Sequence, residues 1–409
     1  MQIVYLGIVF AVIIILLACK RPLYQAILGG LLATILFYRI PPMEIVQRTL
    51  KTLTTWSSFS VLLSLYLITF LQRILESRGQ IRLAQQNLNA IFHNRRVNII
   101  GACLFIGLLP SAASMILCSD IVKEATDGYL KPKEQAFVAS WFRHIPESAL
   151  PTYTAVLLMS NLAGVPIGTF MAGMLVPVMM LGVIGYALYL RKIPAALDDN
   201  TLDSENQDSE KRNKGKEIAG LFSHLWSLLL ILVLILVFRM QVETAVLISI
   251  LLSIVFYRVT AAELRQFLFS AFEKKMLGNT FLVLILKEFL SYTGVLLLLP
   301  DAMAALPLPT YLIFALLFFV ATVVSGSTAA IAMGTPLAFS AIPGGAPLMV
   351  YLMCVAHAAS QISPTHVCLV VASDYFHVTL GDLVKKTLPA SITFILFMTI
   401  YYNVLSLIL

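Results

Sequence analysis

The sequence runs to 409 residues, of which 59% are hydrophobic and only 12% charged. Ordinary soluble domains carry about 25% charged residues, so a water-soluble globule is excluded and the recurring apolar runs point to a polytopic membrane protein. The formal net charge of +7 is spread over short loops, a topological signal that gives no support to nucleic-acid binding.

The first apolar run, IVYLGIVFAVIIILLACKRP, lacks a basic n-region and a small-residue cleavage site, and reads as a retained helix. Crossings are expected near 3–19, 22–38, 56–76, 135–161 and 168–190, then 221–239, 241–257, 276–296, 347–373 and 384–406. Two further apolar stretches, 97–119 and 309–341, are interrupted by small polar residues in LLPSAASM and VVSGSTAAIAMGTP. They are expected as re-entrant hairpins. Between the halves, IPAALDDNTLDSENQDSEKRNKGKEIAG is polar and poor in large apolar residues, which predicts a flexible cytoplasmic linker over 193–220. The expected fold class is therefore an all-α polytopic membrane protein of two repeats, 1–192 and 221–409, each with five transmembrane helices and one hairpin. Scaffold helices are expected over 1–96 and 221–308, and hairpins with broken helices over 97–192 and 309–409.

Basic residues set the orientation. If both interrupted stretches enter and leave on one face, only Arg39, Arg48, Lys51 and Arg239 fall on the sparse side. By the positive-inside rule the crowded side is cytoplasmic, both termini are extracytoplasmic, and the expected location is the inner membrane of a prokaryote.

The two halves repeat. TILFYRIPPMEIVQ (34–47) matches SIVFYRVTAAELRQ (253–266), including Glu44 with Glu263. At a second offset, His144 pairs with His357, Pro151 with Pro364, Thr152 with Thr365 and Ser114 with Ser327. An odd number of crossings per half turns the second copy upside down, which is the pattern of secondary transporters with inverted repeats.

Four breaks occupy matched positions: the hairpin tips Pro110–Ser114 and Ser325–Thr328, and the interrupted spans PESALPTYT (146–154) and SQISPTHV (360–367). Proline removes a backbone donor, while Ser and Thr supply replacement hydrogen bonds. Positive half-helix ends suit anions and freed carbonyls suit Na⁺. The expected substrate contacts are therefore Ser111, Ser114, Arg143, Pro151, Thr152, Ser325, Ser327, Thr328, Ser363, Pro364 and Thr365. Arg143 falls deep in a span, where a lone charge requires a partner or a wet cavity, and is expected to fix a small anion. Ion or proton coupling is assigned to His144, Glu147, His357, His366 and Asp374.

Each feature also has a bland explanation. The breaks can be ordinary kinks, Arg143 and Glu147 can neutralise one another four residues apart, and Asp374 can cap a helix. Lys287 and Glu288 read as a scaffold ion pair, and Glu44 and Glu263 as solvated residues of amphipathic connectors. The five cysteines lie without CxxC spacing and read as buried thiols. No nucleotide-binding, HExxH or spaced Cys/His motif occurs, so no enzyme activity and no cofactor beyond Na⁺ at the hairpin tips is expected.

The pieces LITFLQRILESRGQIRLA, LLPSAASMI, VVSGSTAAIAMGTPLAFSA and HAASQISPTHVCLVVASDYF resemble the ion transporter superfamily. That group includes divalent-anion/sodium symporters and the gluconate, lactate and C4-dicarboxylate permeases. The whole chain is most similar to its member called domain of unknown function 401. The resemblance implies an elevator mechanism, in which a homodimeric scaffold holds a mobile unit of hairpins and broken helices. The tips depart from the Ser-Asn-Thr of divalent-anion symporters, reading Ser111-Ala-Ala-Ser114 and Ser325-Gly-Ser-Thr328. Dicarboxylate specificity and Na⁺ coupling are therefore not carried over. The expected function is secondary transport of a small organic anion of the carboxylate class, coupled to H⁺ or Na⁺. A cation/proton antiporter without an organic substrate is the alternative.

Overall fold

The computed structural model describes residues 1–19, 21–80, 83, 84, 87, 94–108, 113–195, 207–305 and 307–408. The first half comprises α1 (Gln2–Ala18), α2 (Leu23–Phe37), the amphipathic α3 (Pro42–Thr54) and α4 (Trp56–Ser77). There follow α5 (Arg95–Ile106), α6 (Ala113–Thr126), α7 (Pro132–His144), α8 (Thr154–Ala163), α9 (Ile167–Gly173) and α10 (Leu175–Leu188). The second half opens with α11 (Gln207–Leu236), α12 (Val242–Phe256), the amphipathic α13 (Ala261–Ser270), α14 (Lys274–Tyr292) and the short α15 (Leu299–Ala304). It closes with α16 (Thr310–Ser325), α17 (Ser327–Ala341), α18 (Gly345–Ser360), α19 (Val367–Tyr375) and α20 (Leu380–Ile408).

The same order of elements thus recurs: two apolar helices, an amphipathic connector, a third apolar helix, a helical hairpin, a helix broken in the middle, and a last apolar run. The recurrence extends to backbone conformation. Arg39 and Arg258, which end the two Phe-Tyr-Arg copies, both adopt positive φ, 51° and 49°. That region is uncommon for non-glycine residues.

Among the described residues, four helices are individually long and apolar enough to cross a bilayer: Trp56–Ser77, Ile167–Leu188, Gly215–Leu236 and Leu380–Ile408. A fifth candidate, Lys274–Tyr292, bends by 67° into Val295–Ala304 at Gly294. The remaining apolar helices are shorter, among them α1, α2, α8, α12, α16 and α18. Fewer continuous spans than the expected ten result because α1, α2, α12, α16 and α18 are each under 18 residues long, and the runs 135–161 and 347–373 are broken around Pro146 and Pro364. One expectation fails outright. Within the linker predicted to be flexible, residues from Gln207 onward form the start of the 30-residue α11. Glu, Lys, Arg and Gln are good helix formers, and a helix already nucleated by the apolar stretch propagates into them at little cost.

Small residues set the closest packing. A β-carbon at Gly30 would stand 2.5 Å from Ile13 Cδ1, and one at Gly29 equally close to Leu16 Cδ1, so α2 seats directly on α1. The third helix of each half packs on the second helix of the other, α14 on α2 and α4 on α12. The connectors cross over in the same way. On α3, Arg48 and Lys51 reach Glu288 of α14 at 3.3 and 2.8 Å, and on α13, Glu263 accepts from Arg78 beyond α4 at 2.7 and 3.0 Å. Glu44 binds Arg48 at 3.0 Å. The two connector glutamates are therefore paired and not merely solvated.

At the centre lie α7 and α18. Every residue from Gln135 to His144 and from Pro347 to Ser360 is buried, as expected of helices enclosed on all sides. The hairpin α5–α6 packs on α7, and the hairpin α16–α17 on α18. The second hairpin arms also reach across the halves, α17 against α8 and α6 against α19. This cross-packing sets the second hairpin tip beside residues of both broken spans.

Candidate functional site

The two broken spans are built alike. After His144 the chain makes a short 3-10 turn, Pro146–Ser148, and α8 resumes only at Thr154. After Ser360 it runs irregularly through Ser363 and Pro364, and α19 resumes at Val367. Each hairpin meets a break through glycine. A β-carbon at Gly107 would collide with the Arg143 carbonyl oxygen, and the Tyr153 hydroxyl donates to the Gly107 carbonyl. Gly326, at φ +86°, turns the chain between α16 and α17 beside Thr365. The Ser363 hydroxyl donates to the Val323 carbonyl at 2.9 Å and lies 2.7 Å from Thr365 Oγ1, which ties the second hairpin to the second break.

Arg143 is 2% exposed. Its Nε and Nη2 donate to Ser114 Oγ at 3.0 and 2.8 Å, and its Nη1 lies 3.7 Å from Glu147 Oε2. The same carboxylate oxygen is 3.8 Å from Nε2 of the fully buried His144. Nδ1 of His144 stands 2.6 Å from the Ser140 carbonyl, which can only accept, so Nδ1 carries a proton and, in the neutral ring, Nε2 presents a lone pair. Across the break, His366 packs edge-on against His144 with ring centroids 4.5 Å apart. Its Nδ1 is likewise turned to a backbone carbonyl, that of Ser360 at 3.1 Å.

A cavity of about 300 Å³ opens beside this group. Glu147, Ser325, Ser327, Thr328, Ser363, Thr365 and His366 line it, together with Gly326, Ala329 and Val367. Ser327 to Ala329 and Val367 open the N-termini of α17 and α19, whose first-turn amides have no intrahelical acceptor. Two positive helix ends therefore face one small space. The Oγ of Ser325 and the Oγ1 of Thr152 are buried without a hydrogen-bond partner among the described residues.

Of the residues expected at the site, Ser114 and Arg143 form a layer behind Glu147. Pro151 and Thr152 lie within the first break, and Pro364 is exposed in the second. Ser111 lies outside the described residues. His357 is buried in α18 and is not part of the cavity lining. Asp374 is exposed in the last turn of α19, also outside that lining.

The fold also makes a grouping that the sequence did not mark. His144 and His366, expected at the site, come together with Cys368, read in sequence as a packing thiol; their ligand atoms all lie within 4.8 Å of one another, although His144 is more than 200 residues from the other two. Glu243, in the first turn of α12, is 8% exposed and accepts from Ser64 at 3.3 Å. It lines a second, larger cavity of about 840 Å³ with Ser57, Ser60, Ser64, Asn161 and Arg239. The packing of α12 on α4 encloses it. The expected pair of Lys287 with Glu288 does not form. Neighbours in a helix point apart, so Glu288 turns to α3 while Lys287 Nζ caps the end of α8, 3.3 and 3.4 Å from the carbonyls of Asn161 and Leu162.

No curated protein matches the chain. Among solved structures, the fold is similar to that reported as the Alcanivorax borkumensis YdaH transporter, described as having an unusual topology. The similarity has a TM-score of 0.56 at 14% sequence identity and covers 88% of this chain and 86% of that one. The family pattern described as protein of unknown function (DUF401) matches residues 3–405, and the chain belongs to that family.

Proposed function

We propose that this protein is a secondary active transporter of a small organic anion of the carboxylate class, coupled to H⁺ or Na⁺ and working by an elevator mechanism. The observation that carries this reading is the cavity of about 300 Å³ enclosed by two helix N-termini, with Arg143 held behind Glu147 at 3.7 Å. Two helix dipoles and a buried guanidinium make a favourable setting for an anion. The volume, near the lower limit for small-molecule sites, suits a compact one. The likeness in fold to a protein reported as a transporter supports transport as the general activity.

In this reading the halves are inverted repeats in the inner membrane, with both termini extracytoplasmic. The hairpins and broken helices form the moving unit, and the first helices of each half with the crossed connectors form a scaffold that dimerises. The large cavity lined by Ser64 and Glu243 on one side and Asn161 on the other is the cleft between the two parts. Substrate contacts come from the hydroxyls of Ser325, Ser327, Thr328, Ser363 and Thr365, and Arg143, held by Ser114, acts on the anion electrostatically from the layer behind Glu147.

The test is thermal stabilisation of the purified full chain by a panel of mono-, di- and hydroxycarboxylates, followed by uptake into proteoliposomes under an imposed pH or Na⁺ gradient. A ligand at 100 times its Kd stabilises by about 2.7 kcal/mol. Gradient-driven uptake of a stabilising carboxylate is expected. If no carboxylate stabilises the protein and Na⁺ or K⁺ instead dissipates a pH gradient in the vesicles, the anion reading fails and cation/proton exchange replaces it.

A further inference from the structure

We infer that His144, His366 and Cys368 form a binding site for a borderline-soft divalent cation of the Zn²⁺ class, with Glu147 as the fourth ligand. The three ligand atoms already lie within 4.8 Å of one another. In a tetrahedral site with metal–nitrogen distances of about 2.0–2.1 Å and a metal–sulfur distance of about 2.3 Å, neighbouring ligand atoms are roughly 3.3–3.7 Å apart. Closure therefore requires movements on the order of 1 Å. Glu147 Oε2 lies outside that group of three but stands 3.8 Å from His144 Nε2, and would have to turn toward His366 and Cys368 to complete the shell.

The orientation of the imidazoles favours a metal. A metal-bound histidine characteristically donates its other ring nitrogen to a carbonyl or carboxylate, which fixes the tautomer and aims the free lone pair. Both rings here have Nδ1 against a backbone carbonyl, of Ser140 and of Ser360. Nε2 of His144 is buried with no hydrogen-bond partner among the described residues. A buried polar atom left in that condition fits a ligand that approaches from the side of His366 and Cys368. Two imidazoles, a thiolate and a carboxylate select Zn²⁺ over Mg²⁺ or Ca²⁺, which prefer all-oxygen shells. On binding, the Cys368 thiol transfers its proton to solvent and the sulfur lone pair forms the metal bond.

The ligands come from the end of α7, the loop before α19 and the first turn of α19, so the ion would clamp the two broken spans to each other. The inference concerns binding alone and stands whether or not the transported species is an anion.

The experiment uses the purified full chain with Zn²⁺ and Co²⁺ as probes. One Zn²⁺ per chain is expected by calorimetry, and Co²⁺ should produce a thiolate-to-metal charge-transfer band with the visible absorption of a tetrahedral site. Cys368→Ser should abolish that band, and His366→Gln should weaken Zn²⁺ binding by about 100-fold or more. X-ray absorption at the zinc edge of the unmodified protein needs no variant, and should show one sulfur with three nitrogen or oxygen neighbours. A first shell without sulfur would overturn the inference. So would Zn²⁺ binding unchanged by both substitutions, or a sulfur signal that survives Cys368→Ser and disappears in Cys118→Ser.

Discussion

Arg143→Gln separates a substrate-binding arginine from a structural one, and its cost follows from the contacts. Among the described residues the guanidinium gives two hydrogen bonds to Ser114 Oγ, at 3.0 and 2.8 Å. Counted as one charge-assisted interaction, their loss costs about 1.5–3 kcal/mol. The Glu147 carboxylate at 3.7 Å is attracted by roughly 4 kcal/mol at an effective dielectric of about 20. That figure is gross. The glutamate is 21% exposed and faces the cavity, so water screens it, and about 1–2 kcal/mol remains as net coupling. Arg143→Gln should therefore destabilise the protein by about 3–4 kcal/mol. Adding Glu147→Gln should recover about 1–2 kcal/mol, because it removes the carboxylate left without its partner.

Chemical unfolding in detergent of the wild type, both single variants and the double variant measures this coupling as a double-mutant cycle. Binding of the carboxylate found by stabilisation screening supplies the second readout. It should weaken at least tenfold, about 1.4 kcal/mol, in Arg143→Gln and remain weak in the double variant. If the double variant regains both stability and wild-type affinity, Arg143 serves only to neutralise Glu147, and its assignment to the anion is wrong.

Cysteines introduced at Ser204 and Ser406 should react with impermeant maleimide from opposite faces of the membrane, and labelling from one face would refute the inverted arrangement. The Asn161 amide donates to the Ser57 carbonyl at 2.6 Å, so a Ser57→Cys/Asn161→Cys disulfide should arrest transport while calorimetry still detects ligand. Undiminished transport by the fully crosslinked protein would remove the elevator. At the connector, Arg78 holds the Glu263 carboxyl at about 2, below its ordinary 4.5. A depressed carboxyl pKa stabilises above the unfolded value and loses that contribution as pH falls toward the folded one. The Tm of Arg78→Gln should accordingly lie below wild type at pH 7, with the difference closing as pH falls from 4.5 toward 2. A difference constant over that range would mean the pair does not couple to stability.

Composition and periodicity were sufficient for the outline: apolar helices, two hairpins, two breaks and a repeat in which Phe-Tyr-Arg ends the second helix of each half. These properties are local. Proline removes a donor wherever it stands, and apolar runs mark membrane helices whatever their neighbours. The repeat also carried the matched breaks, because two copies of one chain segment place Pro-Thr at the same helical position. Tertiary structure decided the pairing of charges. Lys287 and Glu288 are adjacent in sequence yet project to different helices, and Glu263 finds Arg78 from 185 residues away. The matched histidines diverge for the same reason. His144 reaches the second break because α7, which ends at it, packs directly against α19, whereas His357 lies a turn before the end of α18 and is enclosed there. No spacing rule joins His144 to His366 and Cys368, since ligand geometry depends on where two broken helices meet and not on the number of residues between them.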